Sequence, residues 1–186
     1  MKTITLHALA LSVALGTSLL GLQTGTAEDK ITPTSKASGN QQVTLIQESN
    51  SKIFNELSDQ ALLAMKKRAE ELKIQGAGVI AYFEGESASN WISKMIVVGK
   101  LKNAPTQKDR GANLLAIAYT KASEMADTLK DSGTSGRQPM TGETGWQGGV
   151  IKKVKSGYLI AAFSGGPSED DLKVARVGLE ILASRL

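Results

Sequence analysis

The segment between Gly133 and Gly149 holds three side chains that could bind a ligand together. Arg137 offers a planar guanidinium that pairs with a carboxylate, Trp146 offers a flat ring for stacking, and the Met140 thioether can ligate iron. Loops of this length without secondary structure of their own are often binding loops. The alternative is a glycine-rich connection whose tryptophan folds over the edge of the core. The sequence leaves both alternatives open.

A second candidate is the turn Ser164-Gly165-Gly166, which precedes a predicted helix. Successive backbone amides and a helix N-terminus attract an anion, so this turn is a candidate ligand-binding element. However, the acidic residues 169–171 already occupy the positive end of that helix and would repel a second anion. A tight strand-to-helix turn capped by Ser168 is therefore the favoured interpretation. The turn also lacks the Lys-Ser/Thr ending of a nucleotide-binding P-loop.

The residue types that the chain lacks exclude several classes of site. It has no cysteine and one histidine, His7, which lies in a predicted cleaved segment. Zinc sites built from Cys and His, Cys/His nucleophile pairs, Ser-His-Asp triads and disulfides are therefore excluded. The net charge of +4 is scattered rather than clustered with aromatics on one face, so nucleic acid is not an expected partner.

The N-terminal residues 1–27 have the layout of a secretory signal peptide. Lys2 precedes an apolar run from Leu6 to Leu22, and the small residues that follow suit cleavage after Ala27. This run is too short and too rich in Gly, Ser and Thr for a spanning helix, which needs about 20 apolar residues. We therefore expect a periplasmic or secreted protein that keeps no stable membrane anchor after cleavage.

The rest of the chain predicts a tether and one domain. Residues 28–50 are polar and predict a flexible tether, with a short strand at residues 43–46 as an alternative for part of it. Residues 51–186 predict helix, hairpin, helix, hairpin and helix. The helices are expected at residues 58–76 (or from about residue 52), 111–130 and 168–184, and the strands at residues 79–83, 91–98, 150–154 and 158–163. Because hairpins pair antiparallel strands, the predicted class is α+β, with helices packed on a mostly antiparallel sheet.

Three further motifs occur in order along this domain. They are Arg110-Gly111-Ala112 followed by Lys121-Ala122, the pair Gly148-Gly149 before a strand, and Ser164-Gly165-Gly166 between a strand and the closing helix. Together they resemble the family of small domains that includes the GlcG and HbpS proteins, known as haem-binding or haem-degrading domains. The resemblance covers about residues 57–182.

The resemblance carries structural and functional expectations. It implies a profilin-like subunit of α/β/α layers, a homo-oligomer and, in some family members, binding of haem or a related tetrapyrrole. The candidate ligand-binding residues are then Arg110, Lys121, Arg137, Met140, Trp146, Gly148, Gly149, Ser164, Gly165 and Gly166. For Arg110 and Lys121, a contact with a neighbouring subunit or a solvated helix charge are the alternatives.

Two positions depart from the family pattern. Residues 83–86 read Phe-Glu-Gly-Glu where the family has an Asp followed by a Gly pair, and Val150 stands where it has a proline. An axial haem ligand would also have to come from tyrosine, methionine or a weaker oxygen or nitrogen donor. Tyr82, Tyr119 and Tyr158 fall in predicted strands and a helix, where a packed ring with a bonded hydroxyl is the usual role.

These observations predict an exported homo-oligomer that binds haem or another flat, acidic small molecule without doing chemistry on it. One alternative is a structural or partner-binding module that has the fold but no ligand, which the two departures favour. The other is a haem-dependent degrading or redox accessory, which the lack of histidine to tune iron disfavours.

Overall fold

The computed structural model describes residues 38–186, with side-chain surroundings from residue 50. The predicted signal peptide and residues 28–37 of the predicted tether lie outside this part. The elements are α1 (Ser38–Glu71), β1 (Gly76–Glu84), β2 (Ile92–Val98), β3 (Lys102–Asn103), β4 (Ala112–Asn113), α2 (Leu114–Thr128), β5 (Gly149–Val154), β6 (Gly157–Ser164) and α3 (Ser168–Leu182). The predicted order of helices and hairpins is confirmed, and the pair β3–β4 is an addition to it.

Helix α1 begins at Ser38, much earlier than the sequence predicts. Residues 38–50 are helical, so the short strand predicted as an alternative for residues 43–46 is wrong. Once a helix is nucleated, each added residue gains one hydrogen bond, and the Gln, Leu and Glu residues of this segment are good helix formers. Ser58, predicted as the cap, lies inside the helix and donates to the Phe54 carbonyl at 2.5 Å. Among the helices of residues 38–186, none has both the length and the apolar character needed to cross a bilayer.

Strands β1 and β6 form the centre of a four-stranded antiparallel sheet with the order β2–β1–β6–β5. The outer strands belong to the two predicted hairpins, and the pairing of β1 with β6 places Ile80 opposite Ala161. Both central strands are buried along nearly their whole length. Burial on both faces explains why their sequences are almost continuously apolar rather than alternating.

The sheet lies between two layers of helices. Ile80 and Tyr82 of β1 join the core formed with α1 and α3, whereas Val79 and Phe83 join the core formed with α2. Successive side chains of a strand point to opposite faces, so one strand supplies both cores. The α+β class and the α/β/α layers expected from the sequence are therefore confirmed.

Helix α2 starts at Leu114, later than predicted, because the two residues before it pair with β3. Asn113 caps the helix: its side-chain oxygen accepts from the Ala116 amide at 3.0 Å. The Leu114 amide donates to the Leu101 carbonyl at 3.0 Å. The start of α2 is thus held by backbone pairing and by a side-chain cap.

Helix α3 starts after the Ser164-Gly165-Gly166 turn, as predicted, but its cap differs. Pro167 is the N-cap and makes no side-chain cap bond, so the capping role predicted for Ser168 is wrong. The Pro167 carbonyl accepts from the amides of Asp170 and Asp171 at 2.9 and 3.0 Å. The helix therefore begins with backbone bonds to the Pro167 carbonyl and without a capping side chain.

Candidate functional site

Five of the predicted ligand-binding residues line one small cavity: Lys121, Trp146, Ser164, Gly165 and Gly166. The cavity has a volume of about 200 Å³ and lies between α2, the start of α3 and the end of the loop before β5. Its lining is completed by Asn103, Ala112, Leu114, Ile117, Gln147, Ser168 and Asp171. We call it the Lys121 cavity. Three segments that are distant in sequence therefore meet at one cavity.

Lys121 is a buried wall of this cavity, with a side chain only 2% exposed. Its ammonium donates to Oδ2 of Asp171 at 2.9 Å and to the Phe163 carbonyl at 2.7 Å. Burial lowers the pKa of Lys121, and the attraction of Asp171 opposes that shift. A lysine has three N–H donors, and these two bonds use two of them.

The carboxylate of Asp171 occupies the predicted anion-binding turn, Ser164-Gly165-Gly166. Its Oδ1 accepts from the Gly166 amide at 2.9 Å, while its Oδ2 accepts from Lys121. Burial raises the pKa of Asp171, and the neighbouring Lys121 opposes that shift. The Ser164-Gly165-Gly166 turn therefore already binds a carboxylate of the chain itself. The acidic group of a ligand must bond to other donors.

Gly148 lies against the Lys121–Asp171 pair, and its lack of a side chain leaves the space that the pair occupies. Its backbone φ is +131°, and a Cβ added there would lie 2.2 Å from Lys121 Nζ and 2.8 Å from Asp171 Cβ. Gly149 lies against the core instead, because its amide donates to Ser132 Oγ at 2.9 Å and an added Cβ would strike Met125. Of the two predicted glycines, Gly148 supports the cavity and Gly149 supports the core beneath it.

Trp146 lies at the rim of the Lys121 cavity with its side chain 56% exposed. The base of its loop is tightly closed, since a Cβ added at Gly133 would lie 2.7 Å from the Gly145 carbonyl oxygen. Buried Glu124 of α2 also accepts from the Gly133 amide at 2.9 Å. The indole of Trp146 is therefore presented to solvent by a well-anchored loop and is not part of the core.

Arg137 lies outside the Lys121 cavity and is held by carboxylates of the chain. Its two terminal nitrogens donate to the two oxygens of Glu143 at 2.7 Å each, and one of them also donates to Asp127 at 2.9 Å. These bonds raise the pKa of Arg137; together with the Met140 amide, Arg137 lowers the pKa of Glu143 to about 2. The guanidinium that the sequence offers to a ligand therefore ties the loop to α2.

Replacement of Arg137 by alanine should return the Glu143 pKa from about 2 towards its ordinary 4.5. A carboxyl with a depressed folded-state pKa contributes stability that is present above the unfolded pKa and is lost as pH falls through the folded one. The variant should therefore lose stability at neutral pH and match the wild type near pH 2. Carboxyl NMR titration measures the pKa, with Arg185→Ala as a surface control. A wild-type Glu143 midpoint near 4.5 would contradict the pairing.

Met140 and Arg110 do not line the Lys121 cavity. Met140 is 53% exposed, and its amide donates to Glu143 at 2.8 Å. Arg110 is an exposed residue of the turn before β4. Of the two basic residues matched to the family, only Lys121 therefore reaches the cavity.

Sequence reasoning missed the pairing of Lys121 with Asp171. The two residues are 50 positions apart, on helices that cover opposite faces of the sheet, and they meet only in the folded chain. One signal was present: Lys121 shares the apolar stripe of α2 with Leu114, Ala118 and Met125, at helical spacing. A lysine at such a position is almost never fully buried without a partner of opposite charge.

The Lys121 cavity does not fit a haem iron. Its lining contains none of the usual protein ligands His, Cys, Met or Tyr. The three tyrosines have bonded hydroxyls, as the sequence predicts: Tyr82 with Ser156 and Glu84, Tyr119 with Ser93, and Tyr158 with Glu86. Within the part that the structure describes, no group of three or more His, Cys, Asp or Glu residues could hold a metal ion.

Comparison with known proteins finds a distant similarity among solved structures. No family model and no curated protein matches the chain. Among solved structures, the chain is similar to Klebsiella pneumoniae protein ORFY of the family DUF336, with a TM-score of 0.48 and 15% sequence identity. The similarity covers 69% of this chain and 89% of that one.

Proposed function

We propose that this chain binds a small, flat molecule that carries an acidic group. The acidic group enters the Lys121 cavity, and the flat body of the molecule lies against Trp146. A tetrapyrrole such as haem belongs to this class. The observation that carries the proposal is an exposed indole beside a buried ammonium with an unused donor, both at the same cavity. The protein supplies binding and does no chemistry on the ligand.

The charges around the cavity favour a singly charged acid. Lys121 and Asp171 cancel each other, so the remaining attraction comes from the third ammonium proton. The hydroxyls of Ser164 and Ser168 and the amide of Gln147 add neutral donors. A group with two negative charges would meet Asp171 without a second cation, and two close like charges are disfavoured.

The size of the cavity limits how much of the ligand enters it. Its volume of about 200 Å³ is below the roughly 300–1,000 Å³ of pockets that enclose a drug-sized molecule. A carboxylate and its short linker fit, whereas a macrocycle must stay outside. The exposed ring of Trp146 at the rim is the surface on which such a flat body stacks.

This mode of binding depends on the acid and the flat ring rather than on a metal. Since the lining offers none of the usual iron ligands, iron should add little to the affinity. The function therefore differs from that of a haem-dependent enzyme, in which the protein must tune the iron.

We expect the purified protein to bind protoporphyrin IX and hemin with dissociation constants within about threefold of each other. Trp146→Ala should weaken both at least about tenfold, equivalent to about 1.4 kcal/mol, because the stacking surface is lost. Absorbance and fluorescence titrations measure both constants. Met140→Ala is the matched control, since Met140 is equally exposed in the same loop but does not line the cavity.

Two results would contradict the proposal. Hemin that binds far more tightly than protoporphyrin IX, with the difference lost in Met140→Ala, would show that iron ligation dominates. Unchanged affinities in Trp146→Ala would show that the ligand lies elsewhere.

A further inference from the structure

A second, larger cavity lies at the turn between β1 and β2. It has a volume of about 460 Å³ and is lined by the turn residues 86–91 together with Ser123, Ala126 and Asp127 of α2. We call it the Trp91 cavity. It shares no lining residue with the Lys121 cavity, and its volume lies in the range of small-molecule sites.

Both carboxylates of the Trp91 cavity are already paired. Glu86 accepts from Lys153 at 2.5 Å and from the Tyr158 hydroxyl at 2.7 Å. Asp127 accepts from Arg137 at 2.9 Å. These partners balance the negative charge but do not line the cavity, so a ligand meets carboxylate oxygens with no free cation beside them. This arrangement disfavours an acidic ligand and leaves acceptors for hydroxyl donors.

The other polar side chains of the cavity are neutral, and all of them except Ser123, which donates to the Tyr119 carbonyl at 3.0 Å, are free. Within residues 50–186, the side chains of Ser87, Ser89 and Asn90 have no hydrogen-bond partner, and all three are exposed. A hydroxyl both donates and accepts, and the asparagine amide offers two donors and an acceptor. A ligand with several hydroxyl groups can therefore donate hydrogen bonds to these side chains or accept hydrogen bonds from them.

Trp91 gives the cavity an aromatic wall. Its ring is half-buried and contacts Tyr119, with the two ring centroids 6.4 Å apart. A tryptophan held against a helix presents a large apolar surface at a small entropy cost. An aromatic surface surrounded by hydroxyls, an amide and carboxylates suits a ring that is apolar on its faces and hydroxylated at its edge.

We propose that the Trp91 cavity binds a neutral, polyhydroxylated ring, that is, a sugar, either free or at the end of a glycan chain. The sugar ring packs on Trp91 while its hydroxyls bond to Asn90, the serines of the turn, and the paired carboxylates. This site is independent of the Lys121 cavity, so each proposal can fail without the other.

The test is calorimetric titration of the purified protein with glucose, N-acetylglucosamine, cellobiose, chitobiose and glucuronate. We expect at least one neutral sugar to bind with a dissociation constant below about 10 mM. Glucuronate, with its carboxylate facing Glu86 and Asp127, should bind at least about fivefold more weakly than glucose. A dimer that binds more tightly than its monomer identifies a glycan chain as the source, and equal affinities identify a free sugar.

Two variants locate the binding. Trp91→Ala should abolish it, and Asn90→Ala should weaken it severalfold while leaving the fold intact, because Asn90 is exposed and makes no bond. Trp146→Ala is the matched control and should bind sugar like the wild type. No saturable binding of any neutral sugar, glucuronate binding as tight as glucose binding, or binding unchanged in both Trp91→Ala and Asn90→Ala would overturn the proposal.

Discussion

Replacement of Lys121 by methionine is expected to lower the free energy of unfolding by about 3–5 kcal/mol. The variant leaves the carboxylate of Asp171, whose side chain is 4% exposed, without its cation. Removal of one partner from a buried pair is far more destabilising than removal of both, because an uncompensated charge stays in the interior. Lys121→Met/Asp171→Leu should therefore recover much of the loss. Urea unfolding monitored by circular dichroism measures all three proteins.

The pH dependence of the stability loss shows whether the loss comes from an unpaired buried charge or from altered packing. In Lys121→Met, Asp171 loses the attraction that opposes its burial, so its already raised pKa moves further up. A carboxyl with a raised folded-state pKa contributes stability that is lost as pH rises, so the loss should grow from acid to neutral pH. In Asp171→Asn, the already lowered pKa of Lys121 moves further down, and the loss should grow as pH falls through that pKa.

The matched control is Lys66→Met, which removes an exposed helix lysine 3.9 Å from Glu70. Exposed pairs at this spacing contribute about 0.3–0.5 kcal/mol, so this variant should change stability little at any pH. A loss in Lys121→Met no larger than the loss in Lys66→Met would show that Lys121 and Asp171 do not form a buried pair in solution.

Substitution of Gly148 by alanine is expected to destabilise the protein by about 2–4 kcal/mol and to abolish binding at the Lys121 cavity. The added Cβ would lie 2.2 Å from Lys121 Nζ, a side-chain end that cannot move away because two hydrogen bonds hold it. The backbone adds strain, since its φ of +131° is a conformation that side chains other than glycine rarely adopt. Thermal unfolding and a protoporphyrin IX titration measure the two effects.

The variant Gly136→Ala separates the cost of backbone strain from the cost of a steric clash like that of Gly148→Ala with Lys121. Gly136 lies in the same loop with a φ of +76°, but an added Cβ there meets nothing within 4 Å. Gly136→Ala should lose only the stability that backbone strain costs, about 1–2 kcal/mol, and should keep its affinity for protoporphyrin IX. Equal losses in the two variants, with binding retained in both, would show that Gly148 does not support the Lys121–Asp171 pair.

The elements were largely predictable because their signals are local. The apolar runs of β1 and β6 and the turn at Ser156-Gly157 predict the hairpins without any knowledge of the tertiary structure. The start of α1 was not predictable in the same way, since helix propagation from an established turn overrides a polar composition. The β3–β4 pair was missed because two-residue strands carry no periodicity.

The candidate site was predictable residue by residue but not as an arrangement. Lys121, Trp146 and the Ser164-Gly165-Gly166 turn were identified from side-chain chemistry and family resemblance, and they line one cavity. Arg137 carried the same chemical signal but lies elsewhere, because Glu143 and Asp127 hold its guanidinium. A sequence shows which groups could pair with a ligand, whereas only the fold shows which of them are already paired.

The most direct test of the binding proposal is two-dimensional ¹H–¹⁵N NMR of the purified protein during titration with protoporphyrin IX, which carries no paramagnetic iron. We expect saturable shifts of the Trp146 indole N–H and of the amides of Gly148, Gly165 and Gly166, with the turn of residues 86–91 unchanged. Saturable shifts confined to other residues, or no shifts at millimolar protoporphyrin, would contradict a flat, acidic ligand at the Lys121 cavity.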